Sequence, residues 1–191
     1  MYEQLFTSIA GKVGVSPEAL QLCTRYFMPK KLRKRQYLLQ EGDVCNRLAF
    51  VEKGALYAYS LDSKGSSRVI QFAFEGWWIA DLYSFFTQEP SSLHIEALED
   101  SEVLLLEREQ HQRLLEEVPA YETYTRILYQ NAYVALQRRV EGTLGLTAEE
   151  KYARLLEQHP ATLQRVPLHL VASYLGVTPE TLSRIRRQLT P

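Results

Sequence analysis

Residues 166–189, VPLHLVASYLGVTPETLSRIRRQL, spell a helix, a tight turn and a second helix with two unlike faces. In the first helix Leu168, Val171, Ala172 and Leu175 recur at i, i+3, i+4 and i+7, one apolar stripe. Gly176 follows where a helix leaves through a left-handed residue, which glycine adopts at little steric cost. Val177 plugs the corner. Thr178 is a good N-cap, its hydroxyl able to accept a free amide of the next turn, and Pro179 suits the first helical position, where no amide is needed. In the second helix Leu182, Ile185 and Leu189 share the face that packs on the first. Glu180, Arg184, Arg187 and Gln188 share the other, flanked by Thr181 and Ser183.

A helix offering Arg and Glu near its start, with hydroxyls beside them, suits a DNA major groove. Arg can hold guanine O6 and N7 with two hydrogen bonds, Glu can accept from cytosine N4, and hydroxyls can hold phosphates. The plain alternative is a two-helix corner with a solvated polar face. From Ala161 onward the basic residues are Arg165, Arg184, Arg186 and Arg187 against Glu180 alone, an asymmetry that agrees with the DNA reading.

LGVTPETLSRIRRQL also resembles the recognition unit of the Crp/Fnr family of bacterial transcription regulators, which carry an LGxSRETVSR-type run near the C-terminus. The resemblance implies that Glu180 and Arg184 read bases and that Thr178 and Thr181 contact phosphate. Pro179 departs from it: many members carry a polar base reader there, so one base contact is expected to be lost. The family continues into a β-hairpin wing, whereas this sequence stops at Pro191, so a small all-α helix-turn-helix domain without a wing is expected. Double-stranded DNA, a second copy of the chain and RNA polymerase are the partners the resemblance implies.

The 191 residues suffice for one sizeable core and a small second domain. With 22 Lys+Arg against 23 Asp+Glu the net charge is -1, so DNA contact has to come from a local patch. Cys23 and Cys45 are the only cysteines, too few for a four-cysteine iron–sulfur cluster. No signal peptide opens the sequence and no apolar run approaches the ~20 residues of a membrane span, so a soluble cytoplasmic protein without a membrane partner is expected.

In chain order, Tyr2 to Ile9 reads as a short amphipathic helix, and Ser16-Pro17-Glu18 opens another with Leu20, Cys23 and Phe27 inward. The basic cluster Lys30, Lys31, Arg33, Lys34 and Arg35 can touch phosphates, or simply solvate a strand edge and discourage pairing. From Tyr37 to Glu107 the period changes to two. Ala55 to Leu61 and Arg68 to Phe74 make a hairpin around Asp62-Ser63-Lys64-Gly65, and Leu93 to Ala97 with Glu102 to Leu106 make a second pair. Such spacing predicts an antiparallel roll or barrel. The stretch resembles the cyclic-nucleotide-binding roll of the same family, whose glycine turns match Gly42-Asp43 and Gly54.

The helical period returns near Arg108, with Leu114, Leu115 and Val118 inward. Between Ala120 and about Arg139, Tyr124, Ile127, Leu128, Asn131, Val134, Ala135 and Arg138 form one stripe on a helix of ~20 residues, ~30 Å long. It can cover the roll. The family resemblance instead implies that it pairs with its twin along a dimer axis, where Asn131 would fix register. Glu141 to Gly145 is the hinge candidate, Thr147-Ala148-Glu149-Glu150 a capping box, and His159-Pro160 ends the helix whose Tyr152, Leu155 and Leu156 face inward. The expected organisation is α+β: a sensor roll with flanking helices over 1–117, a dimerisation helix and hinge over 118–145, and the helix-turn-helix over 146–191.

A cyclic nucleotide needs backbone amides at a helix start, a hydroxyl, an Arg for phosphate and an acid for the sugar. In the family a G-E-L…R-S/T cassette supplies them. Matched outward from Asp81-Leu82, Ala80 replaces the glycine, Asp81 takes the acid position one methylene short, Ser91 stands where the Arg belongs, and Ser92 keeps the hydroxyl. Desolvating a phosphate without its partner costs several kcal/mol, so cyclic AMP is not expected as a tight ligand, although Arg68 or His94 could substitute. Trp77 and Trp78, with nearby rings, either line an apolar pocket for another effector or fill the space a nucleotide would occupy. No cofactor is expected. The four histidines (His94, His111, His159, His169) share no ligand spacing, so no metal is expected either. The leading reading is a dimeric transcription regulator. The alternatives are a sensing or interaction module whose helix-turn-helix no longer binds DNA, and a barrel enzyme, disfavoured because no nucleophile–base pair is evident.

Overall fold

The structure, a computed structural model, describes residues 1–158, Pro160 and residues 162–189. They group into two compact units: Met1–Ser60 with Gln71–Gln130, and Leu61–Ile70 with Asn131 onward.

The first unit opens with α1 (Glu3–Ala10) and α2 (Pro17–Cys23). Ser16 caps α2 as its sequence implies, accepting the Ala19 amide at 3.2 Å. α1 is anchored from outside: the Glu52 carboxylate accepts the amides of Leu5 at 2.8 Å and Gln4 at 3.3 Å, satisfying donors that a helix start leaves free. Eight strands follow: β1 (Phe27–Leu32), β2 (Tyr37–Leu39), β3 (Arg47–Lys53), β4 (Leu56–Leu61), β5 (Ser67–Ala73), β6 (Trp78–Ile79), β7 (His94–Ala97) and β8 (Ser101–Glu107). They form two antiparallel sheets, ordered β1-β8-β3-β6 and β2-β7-β4-β5, consistent with the roll expected. One expected pairing is wrong. β7 and β8 lie in different sheets, β7 against β2 and β4, β8 against β1 and β3. Ser101 anchors the chain where it passes from one sheet to the other, its hydroxyl bonding the backbone of Ala55 and Glu99.

Gly54 is the turn residue with least freedom to change. Its φ is +95°, and a Cβ would lie 2.8 Å from Ser101 Cα. The core joins both sheets to helices: Leu5, Phe50, Leu56, Leu104 and Leu106 are fully buried. α3 (Leu82–Thr87) and α4 (Arg108–Glu117) close it, with Leu114 and Val118 buried and Leu115 partly so. α5 runs from Pro119 to Gly145, 27 residues, longer than the periodicity implied. In its first turns Tyr121 and Tyr124 are buried, Tyr124 bonded to Ser8 at 2.7 Å and Trp78 at 3.0 Å.

In the second unit α5 continues through Glu141–Gly145, so the hinge candidate is helical and the chain leaves the helix at Leu146 and Thr147. α6 (Ala148–Gln158) begins with the reciprocal capping box: Thr147 donates its amide to Glu150 at 2.8 Å, and Thr147 Oγ1 accepts the Glu150 amide at 3.3 Å. His159, read as part of the helix stop, lies outside the described residues, as do Thr190 and Pro191. After α7 (Thr162–Arg165) come α8 (Leu168–Leu175) and α9 (Pro179–Leu189). The inner face of α8 is Leu170, Val171, Ala172 and Leu175; Leu168, placed there by periodicity, is only half-buried. Among the described residues no helix is long and apolar enough to cross a membrane.

Candidate nucleic-acid interface and pocket cassette

The α8–α9 corner is built from local bonds that the sequence spells out. Gly176 takes φ 72°, and the Val177 amide reaches back to the Ala172 carbonyl at 3.0 Å, a left-handed helix ending. Thr178 then caps α9, accepting the Thr181 amide at 3.2 Å, while its hydroxyl donates to Thr181 Oγ1 at 3.2 Å. Leu182 and Ile185 are fully buried, together with Tyr152, Leu155 and Val166 of the same unit. The Leu189 side chain lies outside the described residues.

The opposite side of α9 is open. Thr178, Pro179, Glu180, Arg184, Arg187 and Gln188 are exposed, Thr181 and Ser183 half-buried. Arg186, counted in the basic patch but not on the reading face, is exposed as well. The backbone amide of Glu180 itself holds its carboxyl below the usual range. No ion pair among the described residues engages Arg184, Arg186 or Arg187. The arrangement is a charged, hydrogen-bonding rod on a rigid apolar base.

Two residues supporting this corner escaped sequence reasoning. The Ser173 hydroxyl donates to the Ser67 carbonyl at 2.7 Å and accepts the Val69 amide at 3.0 Å, taking the place a neighbouring strand would take along the edge of β5. Arg139 of α5 donates to the carbonyls of Ile70 and, at 3.1 Å, Val69, with its guanidinium 4.7 Å from the ring centroid of Tyr174. The only hints were one Ser in an apolar stripe and one Arg in an apolar helix. Their partners stand about 70 and 105 residues earlier in the chain, beyond the reach of any periodicity.

Two cassette residues, Asp81 and Ser91, are bonded to each other. Asp81 caps α3, accepting the Ser84 amide at 3.3 Å, and Ser91 donates to its other carboxylate oxygen at 2.7 Å; both residues are buried. The helix start that could receive a phosphate thus already carries a carboxylate. Ser91 Oγ also accepts the Leu93 amide at 3.0 Å, and Ser92 is exposed. Ala80 and Leu82 are half-buried beside the core. Trp78 packs on Phe27 and Phe50, and Trp77 stands edge-on to Phe74. His94 stacks on Tyr59, lies tilted against Tyr37 and faces Glu41 at 3.5 Å. Arg68, the other substitute weighed for the missing Arg, pairs with Asp62 at 3.3 Å.

A cleft of about 360 Å³ opens beside the cassette, between Leu38, Leu39, Val44, Cys45 and Ile79; Ile79 and Ile95 of its lining are chain neighbours of Ala80 and His94, and the cassette residues themselves do not line it. Both cysteines are buried free thiols, and burial pushes Cys23 up to about 11. Among the described residues no group of three or more His, Cys, Asp or Glu is placed to hold a metal ion.

Residues 29–118 match the cyclic nucleotide-binding domain family. Over 187 residues the chain is 25% identical to the cyclic AMP receptor protein of Thermus thermophilus, covering 92% of this chain and 83% of that one. The solved catabolite activator protein of Thermus thermophilus shares its fold at a TM-score of 0.60, with 22% identity over 92% of this chain and 84% of that chain. A CooA mutant from Carboxydothermus hydrogenoformans superposes at a TM-score of 0.71, with 18% identity over 92% and 85% of the two chains. Sequence and fold thus resemble Crp/Fnr-type regulators.

Proposed function

We propose that the chain is a homodimeric, sequence-specific DNA-binding regulator of transcription in which α9 reads the major groove. The observation that carries this reading is the division of α9 into a fully buried Leu182–Ile185 side and an exposed side of Glu180, Arg184 and Arg187. Similarity to a cyclic AMP receptor protein supports the regulatory role. Arg184 is assigned to guanine, Glu180 to cytosine N4, and the remaining polar groups to phosphates.

Self-association is assigned to α5. Asn131, Val134, Ala135 and Arg138 are exposed on the expected stripe, and Tyr133, Leu136 and Val140 are exposed on the other side of the same helix. So much apolar surface on a solvated helix favours a partner. Tyr124 belongs to the core and is withdrawn from that stripe; Ile127 and Leu128, half-buried, begin it.

Cyclic AMP is not a tight ligand in this reading, because Asp81 and Ser91 satisfy each other where its phosphate would have to bind. Calorimetric titration tests this, and micromolar or tighter binding overturns it. Gel shift with wild type and Arg184→Ala tests DNA reading. The change is expected to cost about 1–3 kcal/mol at one base pair and relax specificity there. A wild-type chain that does not prefer any site over random duplex at moderate salt contradicts the proposal and favours an interaction module.

A further inference from the structure

We infer that Pro179 is a specificity-determining residue that recognises the 5-methyl group of a thymine. The inference rests on the DNA-reading role of α9 and deepens it. A recognition helix presents its first residues to base edges, and Pro179 is the first residue of α9 and exposed. Its ring can neither donate nor accept a hydrogen bond, and it does not cap the helix, because the Thr178 hydroxyl occupies the cap at 3.2 Å from the Thr181 amide.

At a major-groove edge such a group has one favourable partner. Guanine, cytosine and adenine present donors and acceptors, which a proline would desolvate without replacing their bonds; only thymine presents a methyl group. The base pair facing Pro179 is therefore selected by apolar contact, with burial of one methyl as the driving term. The position that lacks a polar base reader thus still carries sequence information.

The test begins with selection of a consensus site from random duplexes by the full chain. Each thymine of the consensus is then replaced by uracil, which removes the methyl and leaves the hydrogen-bonding edge unchanged, and binding is titrated for wild type and Pro179→Ser. One thymine position per half-site is expected to lose about fourfold in affinity on conversion to uracil, the worth of one buried methyl. At that position 5-methylcytosine should bind better than cytosine. Pro179→Ser keeps the Thr178 cap and should bind the thymine and uracil sites equally. Indifference of the wild type to uracil at every position overturns the inference while DNA reading stands, as does methyl dependence that persists unchanged in Pro179→Ser. Failure to enrich any site removes both, so the two failures are distinct.

Discussion

His111 is buried between two phenols, with Nδ1 3.2 Å from Tyr121 Oη and Nε2 3.3 Å from Tyr129 Oη. A neutral imidazole suits this setting, donating to one hydroxyl and accepting from the other, and burial pushes its pKa down to about 4 from 6.5. The unfolded chain takes up this proton as pH falls below 6.5, while the native chain resists until about 4. Stability is therefore full above 6.5 and declines toward 4, by on the order of 3 kcal/mol in all. Denaturant titrations across that window should show the decline in wild type and a flatter profile in His111→Gln. Gly54 makes a second residue-scale case. Gly54→Ala would meet Ser101 backbone at 2.8 Å with φ held at +95°, and should cost about 2–4 kcal/mol by chemical denaturation. The glycine was legible from its EKG turn; the histidine was not, because its two phenols come from a different helix and only packing brings them together.

Among the elements, the helix-turn-helix corner was the most legible. Gly176 and Thr178 act through bonds that span at most five positions, and Pro179 through its own fixed φ, and local sequence is sufficient for such effects. The strands were legible as strands but not as partners. Alternation marks a buried face, whereas the pairing of β8 with β1 and β3 depends on contacts remote in sequence. The edge of β5 shows the same limit. Ser173 satisfies Ser67 and Val69 there, and Arg139 the carbonyls of Val69 and Ile70, so these two side chains cap an otherwise open strand edge. Ser173→Ala leaves a donor and an acceptor of that edge unpaired and should lower stability by about 1–3 kcal/mol in thermal unfolding. Ser173→Thr, which keeps the hydroxyl, should recover part of the loss.

At the scale of the molecule, a net charge of -1 rules out a general attraction to DNA, so the proposed binding has to depend on a few arginines placed twice. In the proposed reading, doubling comes from association through α5. Val134→Glu, at an exposed position on the expected stripe, should give monomers in sedimentation velocity with the fold retained by circular dichroism. The cassette was half legible: the absence of an Arg at position 91 could be read, but the bond from Ser91 to Asp81 that closes the site could not. The central claim is that two copies of α9 enter successive major grooves. Hydroxyl-radical footprinting of the selected duplex tests it most directly. The expected result is two protected half-sites related by two-fold symmetry, about 34 Å apart on one face of the DNA, both lost in Arg184→Ala. A single unsymmetrical footprint, or protection unchanged by Arg184→Ala, would contradict the account.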